Sequence, residues 1–318
     1  MGASGTHDPR SLRRMKISLI ATVKDAGPFI EEFLASVAAQ TRQPDEIVIV
    51  DGGSTDGTVD TLRHANGVTL VEEPGANISQ GRARAIASAT HDIIAVSDAD
   101  CVLDADWLER LAKLIEDGAD VAMGFYRPMV ENFFQACSAA VHVPDPRELN
   151  EAKFMPSSRS VAFRRLAYEA AGGYPEWLAI GEDMYLNHRW REIGMQMRLD
   201  PQAVANWRVR PSVSSTWKQY FGYARGDAIA KMWPKRHAAR FATYGTVVVL
   251  CAFWPGRVLL AIGALTYAFR PVRRSFRLLS GEPLKQAGAV AGVPAMMAFT
   301  DVAKMAGYVS GLLHTRRN

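Results

Sequence analysis

The sequence predicts an α/β fold, a mostly parallel sheet flanked by helices, followed by an apolar C-terminal helical region. Two observations carry this expectation. Between residues 17 and 100, short apolar runs alternate with stretches whose apolar residues recur at helical spacing. Strand–helix–strand alternation at such intervals makes right-handed βαβ units and a parallel sheet. Beyond Phe241 the composition turns sharply towards Ala, Val, Leu, Gly and Met, which sets a second region, 233–318, apart from an α/β domain over 15–232.

The elements follow in order. Residues 17–23 are mostly apolar and read as a first buried strand. Residues 27–40 carry Phe29, Ile30, Phe33, Leu34 and Val37 at helical spacing. A second strand, 46–51, ends in Asp51; the turn Gly52-Gly53-Ser54-Thr55-Asp56-Gly57 then leads into a helix at 58–64. A short strand at 68–71 and a helix at 79–89 deliver the chain to a fourth strand at 93–96, and a helical pattern follows at 105–116. After Gly124 the regularity weakens, and residues 125–160, with scattered prolines, read as a loop region. Helices are expected at 161–171, 182–193 and 214–232.

Composition narrows the classes of function. The net charge of +4 is modest, but basic residues gather in the last third, among them Arg236, Arg240, Arg270, Arg273, Arg274 and Arg277. No helix-turn-helix, zinc-finger or aromatic RNA-binding pattern accompanies them, which argues against nucleic acid. The flanking apolar runs favour an anionic membrane surface instead. Cys101, Cys137 and Cys251 are widely spaced and form no C-x-x-C, which fits a reducing cytosol rather than a disulfide framework or zinc site. The first 14 residues are polar with no apolar core; they are expected to be a disordered tail rather than a signal peptide, although the first six also fit the N-myristoylation pattern.

The fourth strand ends in Ser97-Asp98-Ala99-Asp100. Residues two apart on a strand share a face, so Asp98 and Asp100 are placed to converge at the carboxyl end of the sheet, where open α/β sheets bind ligands. A hard divalent cation, Mg2+ or Mn2+, holding a diphosphate is the functional reading; capping of the following helix is the plainer one. Asp51, at the tip of the second strand, suits a ribose hydroxyl or a base edge. There is no G-x-G-x-x-G after the first strand and no G-x-x-x-x-G-K-[ST], which counts against NAD, FAD and Walker-type nucleotide hydrolysis.

Taken together, Thr22-Val23-Lys24-Asp25, the run from Val48 to Thr58, Gly81-Arg82, Ser97-Asp98-Ala99-Asp100 and Gly181-Glu182-Asp183 resemble the ordered signatures of family 2 glycosyltransferases. The resemblance implies a GT-A fold, with a nucleotide-sugar half at 15–124 and an acceptor half at 125–232. It implies an inverting transferase that moves a sugar from a nucleoside-diphosphate sugar to a hydroxyl, with Mg2+ or Mn2+ as cofactor. Residue by residue, Thr22 and Val23 would line the nucleotide pocket, Asp51 would read base or ribose, and Arg82 would lie near the diphosphate or the base. Asp98 would sit by the ribose or sugar and Asp100 would hold the metal. Asp183 would be the general base, with Glu182 orienting it or the acceptor. Trp207, Arg208, Gln219 and Arg225 fall in segments that resemble those closing over diphosphate and acceptor. Lys24-Asp25, Gly52 and Ala83 depart from the commonest family residues and leave the base open, with UDP as the default over GDP and dTDP.

The chemistry is coherent without the family name: a departing nucleoside diphosphate needs its charge offset, and an acceptor hydroxyl needs a positioned carboxylate. A nucleotidyltransferase, or a non-catalytic nucleotide-sugar-binding membrane scaffold, are the alternatives. In the tail, residues 243–269 are nearly all apolar but are interrupted at Trp254-Pro255-Gly256-Arg257, and 287–313 carries Pro294, Asp301 and Lys304. Two full crossings would put the Arg-rich loop 270–285 outside the cytosol, against the positive-inside rule. Helices lying in the cytoplasmic leaflet of the cell membrane are therefore expected, beside a lipid-linked or cell-envelope glycan acceptor.

Overall fold

The computed structural model describes residues 15–315; the expected N-terminal tail and its myristoylation pattern lie outside the described residues. In chain order the elements are β1 (Ile17–Val23), α1 (Phe29–Ala38), β2 (Glu46–Asp51), α2 (Thr58–His64), β3 (Val68–Glu72), α3 (Ile78–Ser88), β4 (Ile93–Val96), β5 (Cys101–Leu103), α4 (Trp107–Glu116), β6 (Val121–Met129) and α5 (Phe133–His142). They continue with β7 (Val161–Arg164), α6 (Arg165–Ala170), α7 (Glu182–Glu192), β8 (Met197–Arg208), α8 (Val213–Ile229), α9 (Pro234–Leu250), α10 (Trp254–Leu278) and α11 (Pro283–Thr315).

One sheet runs β3-β2-β1-β4-β7-β6-β8-β5. Its first half is wholly parallel, with Val23 opposite Asp51 and Ile20 opposite Val96. Both faces are covered, so these strands are continuous apolar runs rather than alternating ones. Phe33, Trp107 and Leu108 pack under one face, Phe163 and Trp190 under the other. The sheet turns mixed at β7, which is antiparallel to both β4 and β6.

Three expectations need correcting. The single helix expected over 161–171 divides into β7 and α6. Val161-Ala162-Phe163 is a short apolar run whose period cannot distinguish strand from helix, and its place between two strands decides it. Residues 125–160 are more ordered than expected, because β6 continues to Met129 and α5 follows. The twelve-residue strand β8 was not foreseen; Asp200-Pro201-Gln202 interrupts its apolar pattern, and the β6–β8 register shifts between Met123 and Phe125.

The tail is helical, and one face of its last helix packs into the domain. α11 packs on α8 and α5, with Ala289, Val293, Met296 and Met297 against Ala136, Cys137 and Ala140. A Cβ on Gly307 or Gly311 would collide with the carbonyl oxygens of Phe221 and Arg225, so α8 and α11 approach more closely than larger residues allow. Gly307→Leu is accordingly expected to cost about 1–3 kcal/mol by overpacking, read as a lower urea midpoint with an unchanged slope. The chain turns at 251–253, slightly before the predicted break, and Trp254-Pro255 opens α10, with proline at a first-turn position where its missing N–H costs nothing. α10 leaves Trp254, Leu259, Leu265 and Phe269 exposed, and α9 leaves Val248 and Val249 exposed.

Candidate active site

The site forms where β4 leaves the sheet. The Ser97 amide donates to the Ile20 carbonyl, its hydroxyl donates to the Arg159 carbonyl (2.9 Å), and the Cys101 amide closes back onto the Asp98 carbonyl. This tight turn presents Asp98 and Asp100 to a cavity of about 1290 Å³.

Arg82 reaches Asp98 from α3, a helix started by a reciprocal cap in which Asn77 accepts from the Gln80 amide (2.9 Å) and Gln80 accepts from the Asn77 amide (3.0 Å). The Arg82 side chain is only 3% exposed; Nη2 donates to Asp98 Oδ1 at 2.5 Å and Nη1 donates to Glu182 Oε1. One guanidinium therefore ties the end of β4 to the first turn of α7. Arg159, from the loop before β7, places Nε 3.5 Å from Asp98 Oδ2 and lies 4.7 Å from the centre of the Trp207 ring.

These contacts divide the four acids into two kinds. Burial opposes ionisation of Asp98, but the Arg82 and Arg159 guanidiniums outweigh it and hold the carboxyl below its ordinary value. Burial raises Asp100, and the charge of Asp98 raises it further; Asp100 has no ion-pair partner among the described residues. Glu182 is buried and next to Asp183, and despite Arg82 its pKa is pushed up to about 7. Asp183 is half-buried, makes no ion pair among the described residues, and accepts from the Met184 amide at 2.8 Å. It sits in the first turn of α7, where the helix dipole favours a negative charge.

Gly181 precedes that turn at φ 92°, a conformation that favours glycine. From the other side, α8 touches the same turn: a Cβ on Gly226 would collide with the Ile180 carbonyl oxygen. Gly226→Ala is expected to displace the turn carrying Glu182 and Asp183 and to cost about 1–3 kcal/mol by overpacking, read as a lower urea midpoint.

Thr22, Val23, Arg82, Asp98, Asp100, Glu182, Asp183, Trp207, Arg208 and Gln219 all line this one cavity. Arg208 donates to Glu32 and lies over the Phe29 ring, while Gln219 Nε2 donates to the Tyr223 hydroxyl at 2.9 Å. Asp51 and Arg225 are not in the lining. Asp51 is 2% exposed, and its carboxylate accepts from the Gly53 and Ser54 amides and the Ser54 hydroxyl; Arg225 presents its carbonyl to Gly311. Arg159, Tyr126 and Tyr223 line the cavity without having been singled out in the sequence. A Ser-Arg-Ser step just ahead of a buried strand was the available signal for Arg159.

The donor set suits an acceptor-rich ligand. Arg82 Nε, Arg159 Nε, Trp207 Nε1 and Arg208 Nε are buried and lack hydrogen-bond partners, and buried donors are normally satisfied. For a cation, no cluster of three or more His, Cys, Asp or Glu forms among the described residues. Two carboxylates open to a cavity fit Mg2+ or Mn2+ shared with substrate phosphates, the usual arrangement for such ions, and do not fit a closed protein cage.

Residues 18–145 match the family model for glycosyl transferase family 2. That stretch of the chain is a family 2 glycosyltransferase domain. The transferase is 24% identical over 222 residues to the O-antigen chain rhamnosyltransferase RfbN of Salmonella typhimurium, across 65% of this chain and 71% of that protein. It is 27% identical over 196 residues to the succinoglycan biosynthesis protein ExoA of Rhizobium meliloti, across 57% and 59% of the two chains. The mannosyltransferase PcManGT from Pyrobaculum calidifontis, solved in complex with GDP-Man and Mn2+, superposes with a TM-score of 0.60 at 20% identity, covering 92% of this chain and 88% of that one. At that identity the likeness shows the fold: GT-A, with the transferase's sheet and tail both inside the matched region.

Proposed function

We propose that this glycosyltransferase moves a sugar from a nucleoside-diphosphate sugar to a hydroxyl acceptor by a single displacement that inverts the anomeric centre. The observation that carries the reading is the contrast within one cavity: Glu182 is spent on Arg82, whereas Asp183 carries no ion pair and shares the cavity with Asp98 and Asp100.

In this mechanism Asp183 accepts the proton of the acceptor hydroxyl while that oxygen bonds to the anomeric carbon and the bond to the diphosphate breaks. Arg159 and Arg208, which line the cavity, offer positive charge to the diphosphate oxygens as their charge grows. Glu182 and Arg82 act by position, fixing the first turn of α7 against β4. Asp100, with Asp98 as the second ligand, would hold Mg2+ or Mn2+, which supplies further charge neutralisation to the leaving group. Thr22 and Val23 form the nucleotide wall, with UDP as the default base. Asp51 holds the turn at Gly53 and Ser54, and the Ser54 hydroxyl in turn accepts from the Asp25 amide just beyond that wall.

The acceptor we infer is a lipid-linked or cell-envelope glycan, in keeping with the O-antigen and succinoglycan relatives. Pro283–Thr315 is the one helix among the described residues long and apolar enough to cross a membrane, but it packs on α8 and α5. We therefore assign membrane association to the exposed apolar sides of α9 and α10, on the cytoplasmic leaflet, with Arg270 and Arg273 at the anionic headgroups, since Arg274 and Arg277 pair with Glu148 and Asp145. Calorimetric titration of UDP-, GDP- and dTDP-sugars with Mn2+, and with the ion chelated, tests the donor and metal assignments together. Wild type should bind one donor class tightly only with the ion, and Asp100→Ala should lose most of that increment; equal binding after chelation removes the metal.

A further inference from the structure

Beyond Asp183 the cavity continues to a basic end that the displacement chemistry does not use. Lys304 of α11, Arg236 and Arg240 of α9, and His142 of α5 line it beside Tyr220 of α8. The Lys304 ammonium lies 4.9 Å from the centre of the Tyr220 ring and has no ion-pair partner among the described residues. The carboxylates of this end are already engaged: Asp301 accepts from Arg240 Nε at 2.8 Å, and Asp227 is 2.9 Å from His237 Nε2. Arg236 makes no ion pair among the described residues either. His142 adds no counter-charge, since its Nδ1 faces the Ser138 carbonyl and its Nε2 the Thr300 hydroxyl. Burial, with Arg240 and Arg236 nearby, lowers the Lys304 pKa to about 8 against the opposing charges of Asp301 and Asp227. Lys304 is half-buried, has no ion-pair partner of its own among the described residues, and lines the cavity, where an anion would offset the cost of its burial.

The same helix links this end to an apolar surface. α9 begins with the basic wall at Arg236 and Arg240 and carries exposed Phe241, Val248 and Val249 further on; at the helical rise, Val248 lies about 12 Å beyond Arg240. We propose that Lys304 and Arg236 form a phosphate or diphosphate subsite for an acceptor whose glycan is joined through that phosphate to an apolar tail lying along α9 and α10. The inference rests on the reading that donor and acceptor meet between Asp100 and Asp183, and it adds the chemical class of the acceptor: a lipid phosphate or diphosphate sugar rather than a free glycan.

The test uses the full chain in mild detergent with the donor site filled by the nucleoside diphosphate it prefers plus Mn2+, and titrates farnesyl diphosphate, farnesol, inorganic pyrophosphate and phosphatidylglycerol vesicles. Farnesyl diphosphate should bind while the donor site is full, and farnesol should bind at least about ten-fold more weakly. Lys304→Met and Arg236→Ala should each weaken farnesyl diphosphate by about ten-fold without changing the Kd for the nucleotide. Lys304→Met removes a buried charge at similar volume, so the fold is not at risk, and exposed Arg236 supplies an independent variant. Inorganic pyrophosphate binding as tightly as the prenyl ester overturns the lipid-linked assignment. Loss of vesicle binding in both variants with farnesyl diphosphate unaffected makes the cluster a headgroup site and overturns the acceptor subsite. Failure of farnesyl diphosphate to bind a protein that binds nucleotide sugar overturns this inference alone, whereas failure of nucleotide sugar to bind overturns the donor reading beneath it.

Discussion

Asp183→Asn is expected to lower kcat by about 10²–10⁴-fold and to leave donor affinity unchanged. The amide keeps the size of the carboxylate and the oxygen that accepts from the Met184 amide, so the first turn of α7 survives; only the capacity to take a proton is lost. Steady-state transfer assays beside calorimetric donor binding separate the two quantities. Glu182→Gln provides the control. Because Glu182 is bonded to Arg82 and buried, its replacement should weaken the α3–α7 tie and lower stability more than it lowers kcat. If Glu182→Gln abolishes transfer while Asp183→Asn retains it, the two roles are reversed.

Arg82→Met is expected to be the most destabilising single change in the site. It leaves Asp98 and Glu182 buried without their cation, and breaking a buried pair from one side costs about 3–5 kcal/mol. The loss should depend on pH with a definite sign. In wild type, Glu182 titrates near 7, above its ordinary 4.5. The folded state therefore binds a proton that the unfolded chain has released, and this contribution is present below about 4.5 and lost as pH rises through 7. Asp98 behaves oppositely: its pKa is lowered, so its contribution is present above the ordinary carboxylate range and disappears only in acid. Without Arg82 both carboxyls rise, and protonation relieves both. Urea unfolding of Arg82→Met should thus show a deficit against wild type that is smallest near pH 5 and largest near pH 8. A deficit independent of pH would mean the guanidinium is not what holds these acids ionised.

The region from β1 to β4 was legible in the sequence because its signals are local. β1 to β4 and their helices fall within about two residues of their expected positions, since each strand is a buried run and each helix shows its own period. Asp98, Asp100, Glu182 and Asp183 were legible for the same reason: each stands at the end of such an element. Asp51 was read towards the ligand because it ends a strand. Gly53 and Ser54 supply the amides and hydroxyl that occupy its oxygens, a turn habit of aspartate. The region from β5 to β8 depends on long-range pairing. β7 joins β4 to β6, and β8 joins β6 to β5, contacts between residues far apart in the chain that leave little local trace. Arg159 reaches Asp98 from 61 positions away, and Lys304 reaches Tyr220 from 84; spacing along the chain carries no mark of either meeting.

The close seating of Gly307 and Gly311 on α8 has a practical side. Ending the chain after Met232 would remove the helix that covers Ala136, Cys137 and Ala140 and would expose the backbone of Phe221 and Arg225. The remainder would present an interior surface to water, so the shortened protein should aggregate rather than yield a soluble catalytic head. Useful material for crystallisation or screening keeps α11 and instead trades exposed residues of α10, such as Leu259 and Leu265, for polar ones.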